Sequence, residues 1–426
     1  MSLTIINASQ NYYVRGGSDR YFFALSDLLA DAGHRVIPFS SVQPQNEPTP
    51  WKEYFPPGVR FESPGLGDLA RFVYSPAAAS AMTRLIADEQ PDLAHLHIYY
   101  GQLTGAILGP LWRAGVPVVQ TLHDFKLVCP VYSLMSHGRI CEACQGHQFW
   151  RAALRRCNRG SLARSVLSTV ESYTTRWLGA IDRVAHFIAV SHFQRRKMIE
   201  LGVPAEKITT VHNFFDTTRL APTVTRGEHF LYFGRLERLK GVFTLVAAAE
   251  AVRDVPLLIA GTGPARAELE AIIRDRKLSH VHLVGFQQGD DLARLIRGSI
   301  ATILPSEGYD NCPMAILESY GYARPVIGAD MGGIPELIED EVDGYIVPPG
   351  DADALAQRMT TLAADGERSV EMGLRGRTRI EERFSAQVHY ENVLAVYRRV
   401  LPSLLVERLI PPSPALAAAD SQVDGP

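Results

Sequence analysis

Two carboxylates, Glu307 and Glu318, bracket a turn that leads into a helix, with Asp310 and Asn311 in the same loop. An ionised carboxylate only accepts hydrogen bonds and takes several at once, which suits the paired hydroxyls of a sugar ring. The helix entry near Pro313 adds backbone N–H groups that favour an anion. A ligand carrying both hydroxyls and phosphate would use both features. Two ordinary surface glutamates would spell the same letters, so the rest of the chain has to decide.

Further groups of this kind recur where strand-like runs end. G-R-L-E-R-L-K-G, Gly234–Gly241, carries Arg235 and Lys240. Two cations where a strand turns into a helix can neutralise a pyrophosphate and the charge on a departing nucleoside diphosphate. A solvated Arg and Lys are the plainer alternative. Gly16-Gly17 separates the first strand from a helix beginning near Ser18, where backbone can approach a phosphate or merely turn with positive φ. Gly263, in G-T-G-P, and Phe286, after Gly285, lie in loops that can wall a nucleobase, or are plain turns. His123-Asp124 closes a strand of the first half, and an imidazole there can donate to a hydroxyl or to developing charge.

These residues need a scaffold that presents strand ends together. Leu3–Ala8, His34–Ser40, Asp92–Ile98, Pro117–His123, Ala185–Ser191 and Ile208–Asn213 read as buried strands with helical stretches between several of them. A second set follows: Phe230–Gly234, Pro256–Gly261, Val281–Gly285, Ala301–Pro305, Pro325–Ala329 and Tyr345–Pro348. Continuous apolar strands alternating with helices predict parallel sheets covered on both faces. The fold class is therefore α/β, with two doubly wound Rossmann-like domains facing a cleft, ligands meeting the carboxyl ends of the strands. The expected domains are 1–215, with an insertion at 129–164, and 228–385, joined by the polar linker Phe215–Glu228. A helix over 386–402 follows, then a tail, 411–426, of disordered character. Gln43–Ser75, rich in Pro and Gly, is expected to be irregular.

Composition narrows the class. With 426 residues, 46% hydrophobic and 21% charged, the chain is long enough for two or three globular domains. A formal net charge of -3 argues against nucleic acid as a partner. Sequence near the start is strand-like with no basic leader, so a cytoplasmic enzyme is expected, with any membrane role peripheral and at the inner face.

Four of the five cysteines crowd together as Cys129, Cys141-x-x-Cys144 and Cys157. In a reducing compartment four thiolates suit a closed structural zinc site. Four small buried residues or a labile redox pair are the alternatives. After them Arg151, Arg155, Arg156, Arg159 and Arg164 run without an acid, interleaved with Phe149, Trp150, Leu154 and Leu162. Such a segment can lie on an anionic bilayer or meet a lipid-linked pyrophosphate, or form a solvated helix face.

Together, G-G after strand one, H-D at a strand end, G-R-L-x-x-x-K-G, G-x-G-P, and the E…E helix with G-G-I-P-E resemble the retaining glycosyltransferases of family 4, or group 1. That resemblance implies the GT-B fold and transfer of a hexosyl or related sugar from a UDP- or GDP-type donor to an acceptor hydroxyl with retention. It implies a glycan or lipid-linked acceptor held by the N-terminal domain, a role in polysaccharide or glycolipid synthesis, and no catalytic metal. It assigns Arg235 and Lys240 to the diphosphate and Glu318 to the ribose. Glu307 takes the donor sugar, Gly16 and Gly17 the loop over the phosphate, and His123 a place near the sugar's 6-position. The helix His389–Val400 resembles the segment crossing back to the N-terminal domain. Ten residues separate Glu307 from Glu318 where the family's motif has seven, so the loop must bulge around Tyr309–Pro313. A catalytically silent sugar-nucleotide-binding scaffold is the alternative.

Overall fold

Runs of Val, Ile and Leu become buried parallel strands in the computed structural model, which describes residues 2–60, 63–218 and 220–402. In chain order they are β1 Thr4–Ala8, β2 Arg35–Phe39, β3 Leu93–Leu96 and β4 Val118–Leu122. A two-residue hairpin follows, β5 Met135–Ser136 with β6 Arg139–Ile140, then β7 His186–Ala189 and β8 Ile208–Thr210. The second set is β9 His229–Phe233, β10 Leu257–Ala260, β11 Val281–Gly285, β12 Ser299–Leu304, β13 Val326–Ala329 and β14 Gly344–Val347. All twelve expected strands form, most of them shorter by a residue or two at their ends.

One sheet runs β2-β1-β3-β4-β7-β8 and the other β11-β10-β9-β12-β13-β14. Both are Rossmann-like. The strands pair in parallel, with registers such as Ile5↔Val36 and Ile5↔Leu93 in the first sheet and Leu231↔Leu258 in the second. In the second sheet Phe230, Ile259, Ile303 and Ile327 are fully buried with Val242 and Leu245 of the helix Val242–Ala249. By contacts the chain divides into two compact units. The first comprises the described chain up to Leu122, Tyr173–Ile188 and the described chain from Tyr390, and the second His123–Ser172 and the described chain from Ala189 to His389. In the first unit Tyr397 and Tyr390, on the helix Ala386–Val400, lie 2.7 Å from His95 and 3.0 Å from His34.

Gln43–Ser75 is more regular than its composition suggests. A helix forms at Leu66–Val73 because Asp68 accepts the N–H of Gly65 at 3.0 Å and closes the first turn. The tail 411–426 lies outside the described residues.

One close approach organises the second unit. Gly241 has φ +69, and a Cβ there would stand 1.7 Å from the carbonyl oxygen of Pro305. Only glycine lets the loops after β9 and β12 touch. Gly241→Ala should lower stability on the order of 2–3 kcal/mol by urea unfolding. An unchanged midpoint would mean that the two loops separate freely.

Candidate functional site

Numbered within its own set, the second sheet has the order 3-2-1-4-5-6, so the strand order reverses between β9 and β12. Loops leaving these two strands diverge, and the crevice between them is where open α/β sheets take ligands. The loop after β9 carries Arg235 and Lys240, and the loop after β12 carries Glu307, Asp310 and Asn311. The backbone fixes their spacing: the N–H groups of Glu307 and Gly308 both donate to the Leu239 carbonyl, at 2.8 and 3.0 Å.

Lys240 Nζ lies 2.6 Å from Asp310 Oδ2, which also accepts from the Ser306 hydroxyl at 3.3 Å. Glu307 does not share in this. Its Oε1 accepts from the Thr244 hydroxyl at 2.6 Å, on the first turns of the helix that follows Lys240. Arg235 is well exposed and pairs with Glu237 at 2.6 Å. Glu318 is buried on the helix Met314–Gly321. Gly263 joins the site through backbone: a Cβ there would stand 2.3 Å from the Leu236 oxygen, and Leu236 N–H donates to Thr262 at 2.9 Å. Phe286 follows β11, at the sheet's edge and away from the switch point, with its ring largely exposed.

Asn311 is buried and donates to the His123 carbonyl at 3.2 Å, while its Oδ1 has no hydrogen-bond partner. His123 and the E…E loop therefore do meet. Burial pushes the His123 imidazole down to about 3, so it is uncharged at neutral pH and offers a hydrogen bond rather than a cation. Burial pushes Asp124 up to about 6 although the Lys126 N–H donates to it at 2.9 Å. Lys126 is itself buried, 2.5 Å from Glu171, and donates to the Pro130 carbonyl at 2.8 Å.

Gly16 and Gly17 belong to the first unit. Gly16 caps the helix Gly17–Asp31, and Asp19 accepts the N–H groups of Arg15 and Gly16 at 3.1 and 3.0 Å. A carboxylate of the chain's own thus sits on the amides expected to face a phosphate.

A cavity of about 860 Å³ opens beside the E…E loop, lined by His192, Phe193, Arg195, Arg196, Tyr309 and Glu336 among others. Glu336 accepts the N–H groups of His192 and Phe193, at 2.8 and 2.6 Å, and approaches His212 Nε2 to 2.9 Å. Burial works against its charge, but His212 and these two N–H donors hold the carboxyl below its ordinary range. His192, His212 and Glu336 offer ligand atoms within 4.8 Å of one another, the one such group among the described residues. Both Glu336 oxygens are already engaged, which makes the trio a helix cap. No three cysteine sulfurs come that close. Cys129, Cys141, Cys144 and Cys157 are free thiols. Burial, and then the thiols of Cys129, Cys157 and Cys141, push Cys144 up to about 12. Burial also raises Cys129, against the backbone N–H groups of Leu134 and Val131 that donate to its sulfur.

Seven residues separate Asp310 from Glu318, the spacing of the family motif with aspartate in first place, and it is Asp310 that meets Lys240. Glu336 stood in the quoted G-G-I-P-E with no signal of its role, because its partners come from residues 192–212.

Residues 227–365 match the family described as glycosyl transferases group 1, and residues 15–219 match glycosyltransferase family 4. Amylovoran biosynthesis glycosyltransferase AmsK of Erwinia amylovora is 28% identical over 227 residues, 50% of this chain and 56% of that protein. The chain thus spans about half the length of that relative. N-acetyl-alpha-D-glucosaminyl L-malate synthase of Bacillus anthracis is 25% identical over 405 residues, 91% of this chain and 94% of that protein. Among solved structures, Anabaena HepE in complex with UDP has a TM-score of 0.67 at 18% identity, covering 93% of this chain and 99% of that one, a likeness of fold.

The raised carboxyl of Asp124 sets a pH test. A carboxyl whose folded pKa exceeds its unfolded value binds more protons when folded, so it disfavours the fold as pH rises through the interval between them. Asp124→Asn should therefore melt higher than the parent at pH 7, and the advantage should vanish towards about pH 4, near the unfolded carboxyl value. An equal difference in melting temperature at both pH values would remove the buried-carboxylate reading.

Proposed function

This chain belongs to the group 1 glycosyltransferases of GT-B fold, and from that premise we infer that it moves a sugar from a nucleotide-activated donor to an acceptor hydroxyl, with retention, in polysaccharide or glycolipid synthesis. The observation that carries this reading is Lys240 held against Asp310 at the switch point of the second sheet. An ammonium there can offset the charge that grows on a leaving diphosphate. Arg235, exposed at the start of the same loop, is free to swing from Glu237 towards the phosphates. Glu318 accepts from the ribose, Asn311 and uncharged His123 meet the sugar, and Asp310 takes the acid's place that the resemblance gave to Glu307. Support for the donor class comes from the Anabaena neighbour, which was solved with UDP. The retaining course rests on family likeness. Cationic side chains and helix dipoles then stand in for a catalytic metal.

Cys129, Cys141, Cys144 and Cys157 remain a proposed structural zinc site. Its support is that Cys144 has the other three thiols as electrostatic neighbours, and that backbone N–H groups already point at the Cys129 sulfur. A tetrahedral ion would draw the four sulfurs closer and lower every thiol pKa.

Screening nucleotides and sugar nucleotides by thermal shift should single out one diphosphate series, since a specific ligand raises the melting point in proportion to its binding free energy. Lys240→Ala and Asp310→Asn should each cut turnover by about a hundredfold or more with that donor, while Glu307→Gln costs less than about tenfold. Should Glu307→Gln be the crippling change and Asp310→Asn silent, Asp310 loses its role. Elemental analysis of protein purified without chelator should find close to one zinc per chain, and metal-free protein with native stability would refute the zinc site.

A further inference from the structure

The helix Leu162–Trp177 is built inside out. Its buried side is polar: Ser165 and Glu171 are fully buried, and Ser168 and Ser172 nearly so. Its outer side is apolar, with Leu162 50% exposed, Val166 43%, Val170 46% and Trp177 80%. At about 100° per residue these four fall within roughly 80° of one another around the axis. Tyr173 lies on the same stripe, its ring 6.2 Å from that of Trp177. Just upstream in the chain Trp150 is 48% and Leu154 72% exposed.

The helix is pinned in this orientation. Glu171 is ion-paired with buried Lys126, which also donates to the Ser172 hydroxyl at 3.2 Å. Asn158 donates from its side chain to Ser168 and from its backbone to Ser165, both at 2.9 Å. Turning the apolar stripe inward would leave the Lys126 and Glu171 charges without partners, a large penalty for a buried pair. The stripe therefore stays outside, where it loses the burial that apolar side chains gain in a core.

Charge identifies what covers it. From Ala143 to Val170 there are five arginines and no acidic residue. Arg155, Arg156 and Arg159, in the segment that leads into the helix, are exposed, as is Arg164 on its first turn. A second copy of this surface would bring like charges together, whereas an anionic bilayer takes both the apolar side chains and the guanidinium groups. We propose that the helix Leu162–Trp177 and the preceding arginine-rich segment form a docking surface for an anionic lipid bilayer, with the helix lying in the plane of the interface. Among the described residues no helix is long and apolar enough to cross a membrane, so this contact is peripheral. It does not depend on the sugar-transfer reading, since none of these residues belongs to that site.

Co-sedimentation with lipid vesicles tests it on the full chain. The protein should pellet at low ionic strength with phosphatidylcholine vesicles containing about one third phosphatidylglycerol, and stay in solution with phosphatidylcholine alone. The double change Val166→Glu and Val170→Glu should weaken pelleting about tenfold. Melting temperature within error of the parent's would show that the variant is folded. Arg155→Glu with Arg156→Glu is a second, independent probe and should act in the same direction. The proposal is overturned if the parent does not pellet with anionic vesicles, or if neither variant changes pelleting. It is likewise overturned if the parent is a dimer by analytical ultracentrifugation that the Val166/Val170 variant dissociates, which would make the stripe a self-interface.

Discussion

Lys240 reaches Asp310 because Gly241 lets two backbones touch. The loops after β9 and β12 leave neighbouring strands at the point where the sheet's winding reverses, and elsewhere such loops would splay apart. Here the Pro305 carbonyl occupies the space a Cβ would need, and the Leu239 carbonyl takes two N–H groups from the partner loop. An ammonium and a carboxylate are thereby held at fixed distance at the mouth of a crevice. The pair keeps a cation partly buried without leaving it uncompensated, and a diphosphate can compete for it.

Lys126 does comparable work on the other flank. It sits three residues beyond His123, donates its N–H to Asp124, and buries its ammonium against Glu171. Glu171 lies on the inward side of the helix whose outward side is apolar. The H-D loop and the exposed stripe are thus tied through one ion pair. The Lys126–Glu171 pair thus supports both the loop that follows β4 and the orientation of that helix.

Neutralisation by burial is the common theme in the site's electrostatics. His123 loses its proton and Asp124 gains affinity for one because both are withdrawn from water. Glu336 goes the other way, because two helix N–H groups and His212 compensate the withdrawal. Cations are left in contact with solvent at Arg235 and partly at Lys240.

The strands were readable because most are short, largely apolar runs of four to six residues between helical stretches, a local pattern that burial on both faces demands. The cationic loop and the acidic loop were readable as strand-end residues for the same reason. Spacing held one more fact, that Asp310 stands seven residues before Glu318, but choosing it over Glu307 needed the distance to Lys240. Sequence alone determined the two sheets, the residues at their carboxyl ends and the arginine run without acids. Tertiary structure alone decided which carboxylate meets the lysine, that Glu336 caps a helix more than a hundred residues away, and that the helix Leu162–Trp177 turns its polar side inward. Each of those outcomes depends on partners distant in the chain, and neither periodicity nor composition encodes which distant group satisfies a buried charge.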